Sequence, residues 1–168
     1  MSMFCFQCQE TARNTGCTVK GVCGKDERAS NLMDLLIYTL QGIALNAENS
    51  QKPLDRACGV FLIQALFTTI TNANFDEDRI VAMIQKGLKI RDALKNMSLG
   101  GGGCRCAERL HGSQTWSANT KEEMLKAAAT VSPLSYSAQD DIRSLKALLL
   151  YGLKGIAAYS DHAAMLNA

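Results

Sequence analysis

The chain has 168 residues, of which 47% are apolar and 20% are charged, and its formal net charge is +2. This length suits one domain with a real core, and the small charge excludes a strongly basic surface for nucleic acid. No stretch is apolar for long enough to cross a membrane, and the amino terminus lacks the apolar region of a signal peptide, so we expect a cytoplasmic protein with no membrane or nucleic-acid partner.

The first element is a loop rich in cysteine. Four of the seven cysteines fall within its first 23 residues, in the spacing C-x2-C-x8-C-x5-C. Four thiolates this close in sequence indicate a metal or cluster site in a chain without secretory context. The neighbouring glycines would let the backbone wrap a centre closely, and Arg13, Lys20 and Lys25 would offset the thiolate charge. The four candidate ligands are Cys5, Cys8, Cys17 and Cys23.

The spacing bears on which metal these cysteines hold. Zinc sites commonly use two short C-x2-4-C pairs, and only Cys5 and Cys8 form such a pair here. Iron–sulfur clusters accept more varied spacings, because the loop goes round a larger core. The spacing therefore favours an iron–sulfur cluster over zinc, with disulfides or unliganded thiols as the third alternative. An odd number of cysteines, clustered at one end, fits a reducing compartment.

Two helices follow the loop. Ser30 or Asn31 can cap the first, which runs to about Asn46 with apolar residues at helical spacing. The second is predicted from the apolar stretch 60–67, which is too long for an edge strand and is typical of a buried helix.

The second half of the chain contains three more predicted elements. Asn74 can cap a third helix, with acidic residues in its first turn. The four glycines 100–103 then break the chain. Thr120 and Glu123 form a capping box for a short helix, and a long helix is predicted from Asp140 to near the carboxyl terminus.

These elements predict an all-α protein in which helices pack as bundles and the cysteine loop is held at one end. We expect one domain with four segments. They are the cluster-binding loop 1–30, a first helical segment 31–97, a glycine-rich loop 98–119 and a second helical segment 120–168.

The first and last long helices share a pattern. The apolar residues and the glycine of 32–44 recur in the same order at 145–157. A glycine inside a helix costs up to about 1 kcal/mol relative to alanine. Gly42 and Gly155 therefore indicate close approach of a neighbouring backbone, which we favour over contact with a cofactor.

Other candidate residues carry weaker signals. Cys104 and Cys106, with His111 nearby, could form half a metal centre, but two cysteines one residue apart rarely reach the same ion, so loop thiols are the favoured interpretation. Cys58 precedes an apolar run and is expected to be a buried small side chain. His162 is expected to cap a helix or to face solvent. No phosphate-binding loop or Ser–His–Asp set is present, so hydrolytic catalysis has little support.

The residues 3–12, 15–18 and 21–25 closely resemble the amino terminus of the hybrid cluster protein family, also called the hydroxylamine reductase or prismane family. The resemblance continues through residues 69–74 and 152–159. It covers most of this chain but about the first third of the family's length.

The resemblance implies a function. In the family these four cysteines hold the proximal cluster, and the short spacing is similar to that of members with a 4Fe–4S cluster, whereas wider spacing accompanies 2Fe–2S. That cluster passes electrons to a second, hybrid cluster, which reduces hydroxylamine to ammonia and, in some members, nitric oxide to nitrous oxide. The ligands of the hybrid cluster lie in later domains and match nothing here.

We therefore expect an iron–sulfur electron-transfer domain that is not catalytic alone. Its partners would be a redox donor or acceptor protein, or the missing catalytic domains of the family. The alternative is a helical zinc-binding domain with a structural or interaction role.

Overall fold

A computed structural model describes residues 3–10, 12–50, 53–70, 73–99, 110–131 and 139–166. These residues form helices and no strand, which confirms the predicted all-α class. Gly100–Gly103, Cys104, Cys106 and Pro133 lie outside the described residues. The α-helices are α1 (Glu27–Ser50), α2 (Arg56–Thr68), α3 (Glu77–Leu99), α4 (Lys121–Ala128) and α5 (Asp140–Met165), with short 3-10 helices at Ala12–Asn14 and Gly112–Gln114.

Helix α1 is at the centre of the molecule. Its apolar stripe is buried: Leu32, Leu36 and Ile43 are each 0% exposed. Helix α3 packs along α1, and α4 and the 3-10 helix Gly112–Gln114 cover the rest of the stripe. Helix α2 contacts α1 and α3 and joins α5 to the rest of the fold. No helix among the described residues is long and apolar enough to span a membrane.

The start of α1 differs from the prediction. The helix begins at Glu27, and the Asp26 carboxylate accepts a hydrogen bond from the Ala29 backbone N–H at 2.8 Å. The predicted caps Ser30 and Asn31 are therefore wrong, because the helix is already formed at both positions. An aspartate before the first turn also interacts favourably with the positive end of the helix dipole.

The starts of α3 and α4 give one correction and one confirmation. The Asp76 carboxylate accepts from the Asp78 N–H at 2.9 Å, so Asp76 caps α3 and the predicted cap Asn74 is wrong. Asn74 instead accepts from the Asp76 N–H at 2.9 Å, in the turn that precedes the helix. The capping box of Thr120 and Glu123 is confirmed at the start of α4.

The repeated pattern in α1 and α5 has two different environments. A Cβ atom on Gly42 would lie 2.2 Å from the Ser113 carbonyl oxygen, which confirms the predicted close approach in α1. No atom of the described residues would lie within 4 Å of a Cβ atom on Gly155, so the prediction is wrong for α5. The large apolar residues of α5 that match the buried stripe of α1 are mostly exposed; they are Leu145, Leu148, Leu149, Leu153 and Ile156. These five residues form what we call the outer face of α5.

Candidate functional site

The loop before α1 contains all four predicted ligands. Cys17 is buried and the other three are half-buried, and all four are free thiols. The Cys5 backbone N–H donates to the Cys17 carbonyl oxygen at 3.1 Å, which joins the two ends of the first wrap of the loop. The sulfur atoms of Cys8 and Cys17 lie 3.6 Å and 3.9 Å from the carbonyl oxygen of Glu10. The loop therefore folds back on itself, so that the backbones of Cys5 and Cys17 meet and the sulfur atoms of Cys8 and Cys17 lie near one carbonyl oxygen.

A tight turn positions Cys23. The Gly21 N–H donates to the Lys25 carbonyl at 2.7 Å, and the Gly24 N–H donates to the Gly21 carbonyl at 2.8 Å. Gly24 has φ +92°, a conformation that L side chains rarely adopt, so this turn requires glycine. The turn places the Cys23 sulfur beside Gly21 and directs the Lys25 side chain into the protein.

Lys25 links the thiols electrostatically. Its side chain is 0% exposed, and its ammonium donates to the Met33 sulfur at 2.8 Å. Burial lowers the pKa of Lys25, while the negative forms of Cys5, Cys23 and Cys8 and, to a smaller extent, of Asp34 act to raise it. Among the described residues no carboxylate forms an ion pair with Lys25. Because a buried cation needs a counter-charge, this one suits an anionic group held by the thiols.

The predicted cations do not all face the site. Lys25 lies among the thiols, as expected, whereas Arg13 and Lys20 are exposed. The charge that would offset thiolates in the interior therefore comes from Lys25 rather than from all three.

A buried hydroxyl also faces the loop. The Ser30 side chain on α1 is 0% exposed, and its oxygen makes no hydrogen bond of ordinary geometry among the described residues. Burial raises the pKa of the Cys5 thiol, and the neighbouring Ser30 hydroxyl acts to lower it. A buried donor without a partner is costly, so Ser30 is available to donate to a sulfur atom at Cys5.

Three residues that sequence analysis did not single out form a buried network beside the loop. The Lys154 ammonium on α5 donates to the Gln7 side-chain oxygen at 2.9 Å and to the Gln7 backbone carbonyl at 3.1 Å. The Gln7 amide in turn donates to the Asp34 carboxylate on α1. Their exposed fractions are 2%, 2% and 3% for Lys154, Gln7 and Asp34.

Burial sets the charge balance of this network. Burial raises the pKa of Asp34 to about 8, against the opposing effect of Lys154. Burial also lowers the pKa of Lys154 to about 8, against the opposing effects of Asp34, Cys5 and Cys8. A residue pair 147 positions apart has no local sequence signal, and the position of Gln7 between two cysteines was the single available hint.

The remaining candidates serve the fold. Cys58 is 7% exposed and lies in the core, as expected. His111 caps the 3-10 helix Gly112–Gln114, and His162 is exposed and packs edge-on against the Phe67 ring with centroids 5.3 Å apart. Among the described residues no three cysteine, histidine or acidic side chains are grouped to hold a single metal ion.

The residues present fit an anionic, sulfur-ligated group. The loop supplies four thiols, Lys25 supplies a buried positive charge, and Ser30 supplies a buried hydroxyl beside Cys5. Potentials of iron–sulfur clusters respond to nearby net charge and to hydrogen bonds to sulfur. In this site Lys25 supplies the nearby charge, and the Ser30 hydroxyl supplies a hydrogen-bond donor for sulfur.

Comparison with known proteins shows similarity along the whole chain. The Prismane/CO dehydrogenase family matches residues 3–168. The hydroxylamine reductase of Desulfitobacterium hafniense (strain DSM 10664 / DCB-2) is 50% identical over 169 residues, which is 99% of this chain and 30% of that protein.

Other relatives show similar identity and coverage. The hydroxylamine reductase of Halothermothrix orenii is 48% identical over 99% of this chain and 31% of its own length. That of Chlorobaculum tepidum is 49% identical over 98% of this chain and 29% of its own length. The chain thus spans about three tenths of the length of the curated relatives it matches, in their amino-terminal part.

Proposed function

Because the chain belongs to the Prismane/CO dehydrogenase family, we propose that its amino-terminal loop holds an iron–sulfur cluster and that it transfers electrons one at a time. Proteins of the prismane family bind iron–sulfur clusters. The observation that carries the proposal is the buried Lys25 ammonium among the thiols of Cys5, Cys8 and Cys23, without an ion-pair partner among the described residues.

The ligands we propose are Cys5, Cys8, Cys17 and Cys23, and the cluster we propose is 4Fe–4S. The short spacing supports this choice over 2Fe–2S or a zinc ion. A cluster bound there would supply one-electron redox chemistry.

The chain's own residues prepare the ligands. Burial raises the pKa of Cys5, so this thiol must release a proton when it binds a metal. The Lys25 ammonium acts to lower the pKa of Cys5 and so favours the thiolate form of this residue. The Ser30 hydroxyl can then donate to the sulfur of Cys5.

We propose no catalytic residue in this chain. Its relatives are named hydroxylamine reductases, and the chain spans about three tenths of their length. Reduction of hydroxylamine to ammonia, or of nitric oxide to nitrous oxide, would then need the family's second cluster. This chain would supply electrons to it or exchange them with a redox protein.

Metal analysis of the isolated protein tests this function. After anaerobic purification we expect about four iron and four sulfide per chain, a brown colour, and a paramagnetic resonance signal that appears on reduction. The signal should disappear on reoxidation. Zinc as the sole metal, or iron without sulfide, would contradict the proposal and would support a structural zinc domain.

We also propose where the remaining length of the family meets this chain: on the outer face of α5. Leu145 and Leu148 are each 66% exposed, whereas the matching Leu32 and Leu35 of α1 are buried at 0%. In α1 the same pattern is covered by helices of this chain. A contiguous apolar face of this kind marks an interaction site, and the relatives extend well beyond the matched part.

A chimaera tests this contact. In the Desulfitobacterium hafniense relative, the matching segment is replaced by this chain, with and without Leu149→Glu and Ile156→Glu. The paired changes should lower the thermal midpoint of the chimaera, because each buried leucine or isoleucine contributes about 1.5–3 kcal/mol. The same changes should leave the midpoint of the isolated chain nearly unchanged.

Ser144→Glu, at an exposed position of α5, is the matched control. Equal effects in both contexts would contradict the contact. So would an isolated chain that sediments as a dimer and becomes monomeric with the paired changes, since the face would then bind a second copy.

A further inference from the structure

Lys154 is an unusual residue for its helix. Among the residues of α5, the buried ones are Lys154 and Ala157, so the large side chain that α5 buries is a charged one. Lysine is almost never fully buried unless it is paired. Here it is paired with Gln7, through two hydrogen bonds to the segment between Cys5 and Cys8.

The hydrogen bonds join three parts of the chain. Gln7 accepts from Lys154 on α5 and donates to Asp34 on α1, so the loop segment is held between two helices. Lys154 and Cys8 also line one cleft of about 160 Å³ between the loop and α5. The attachment is mechanical through Gln7, which lies between two proposed ligands in the sequence, and electrostatic because the charges of Cys5 and Cys8 act on the ammonium.

We propose that Lys154 is a positioning residue for the cluster of the loop. Its two bonds to Gln7 fix the Cys5–Cys8 segment, and its positive charge raises the reduction potential of a cluster held there. This inference rests on the proposed function. It assigns to α5, more than a hundred residues from the cysteines, a direct influence on their redox chemistry.

The charge of Lys154 at neutral pH follows from its surroundings. Burial lowers its pKa to about 8, so the ammonium form predominates at pH 7. The carboxylate form of Asp34 acts to raise the pKa of Lys154 and so favours the ammonium, while burial raises the pKa of Asp34 itself to about 8. The other charged groups that act on Lys154 are Lys25, Cys5 and Cys8. A nearby positive charge favours the state with one more electron, since opposite charges attract strongly away from water.

The test compares Lys154→Met with Lys146→Met in the cluster-loaded protein at pH 7. Methionine keeps the length of the side chain and removes its charge and hydrogen bonds. Lys146 lies on the same helix and is exposed, so its variant changes the net charge equally. A mediated redox titration followed by paramagnetic resonance gives the potential, and a strong iron chelator gives the rate of iron release.

We expect Lys154→Met to lower the reduction potential and to speed iron release by about tenfold or more, the range for loss of an outer partner of a ligand. Lys146→Met should match the wild type in both. Gln7→Met removes the side-chain bonds to Lys154 and Asp34 but keeps the ammonium and its bond to the backbone carbonyl, so it should speed iron release with a smaller change in potential. If Lys154→Met does not fold, Gln7→Met still tests whether the attachment slows iron release.

Two results would overturn the inference. One is a Lys154→Met protein with the potential and release rate of the wild type. The other is an equal fall in potential for Lys146→Met, which would show a general effect of net charge. A wild-type protein without iron and sulfide would instead refute the proposed function, so the two failures are distinguishable.

Discussion

Replacing Cys5 and Cys17 together with alanine should remove iron and sulfide from the protein. The Cys5 N–H donates to the Cys17 carbonyl, so the two residues close the first wrap of the loop. Loss of an outer partner of a ligand already weakens metal binding by about 10–100-fold, and loss of two ligands should cost more. We expect the iron content to fall at least about tenfold, together with the brown colour and the resonance signal.

The control for this experiment is Cys58→Ala. Cys58 is also a nearly buried thiol, but it lies in the core on α2 and no ligand role is proposed for it. This variant should keep wild-type iron and sulfide at some cost in stability. Full cluster content in the double variant, or equal loss in both proteins, would contradict the assignment of the ligands.

Replacing Gly42 with alanine should destabilise the protein by about 2 kcal/mol, although alanine is the better helix former. The new Cβ would lie 2.2 Å from the Ser113 carbonyl oxygen and 3.0 Å from the Arg91 Cδ. Neither can move easily. Ser113 is 0% exposed, and its carbonyl accepts from the buried Arg91 guanidinium at 3.2 Å.

Gly155→Ala provides the matched comparison within the same repeated pattern. In the part of the chain that the structure describes, no atom lies within 4 Å of the position that its Cβ would take, so the gain in helix propensity is unopposed. We expect stabilisation of up to about 1 kcal/mol. Urea unfolding followed by circular dichroism measures the change in the free energy of unfolding for Gly42→Ala and for Gly155→Ala. If the two alanines change the free energy of unfolding in the same direction, the close contact at Gly42 is refuted.

The sequence allowed the helices to be predicted because their signals are local, and the ligand role of the four cysteines, also drawn from a local signal, stays a prediction. Helical spacing identified the buried stripe of α1, and the box formed by Thr120 and Glu123 correctly marked the start of α4. A few residues of sequence are enough to recognise the pair of thiols at Cys5 and Cys8. The assignment of a 4Fe–4S cluster to them stays a prediction, as does the division of the chain into segments.

The errors have a common cause. Several polar residues near a helix start can accept from a free N–H, and sequence does not show which one reaches it. At α1 the Asp26 carboxylate does so, while Ser30 lies one turn inside and faces Cys5. The same holds for Asp76 and Asn74 at α3.

Buried charges were harder still to predict. Lysines usually face solvent, so nothing in the pattern of α5 distinguished Lys154 from the exposed Lys146. Its partner Gln7 is 147 positions away, and contacts of that separation depend on how the helices pack. The outer face of α5 posed the opposite problem. Its apolar spacing matches that of the buried stripe of α1, but the helices of the described residues cover the inner side of α5 alone.

The two sides of α5 together have a mechanical consequence. A helix rises about 1.5 Å and turns about 100° per residue, so sliding α5 by a single residue would carry the Lys154 ammonium out of reach of Gln7. If the proposed contact on the opposite side moved α5 by that amount, it would break the bonds between Lys154 and Gln7. The position of α5 would then link the contact on its outer face to the reduction potential of a cluster on its inner side, across the diameter of the helix.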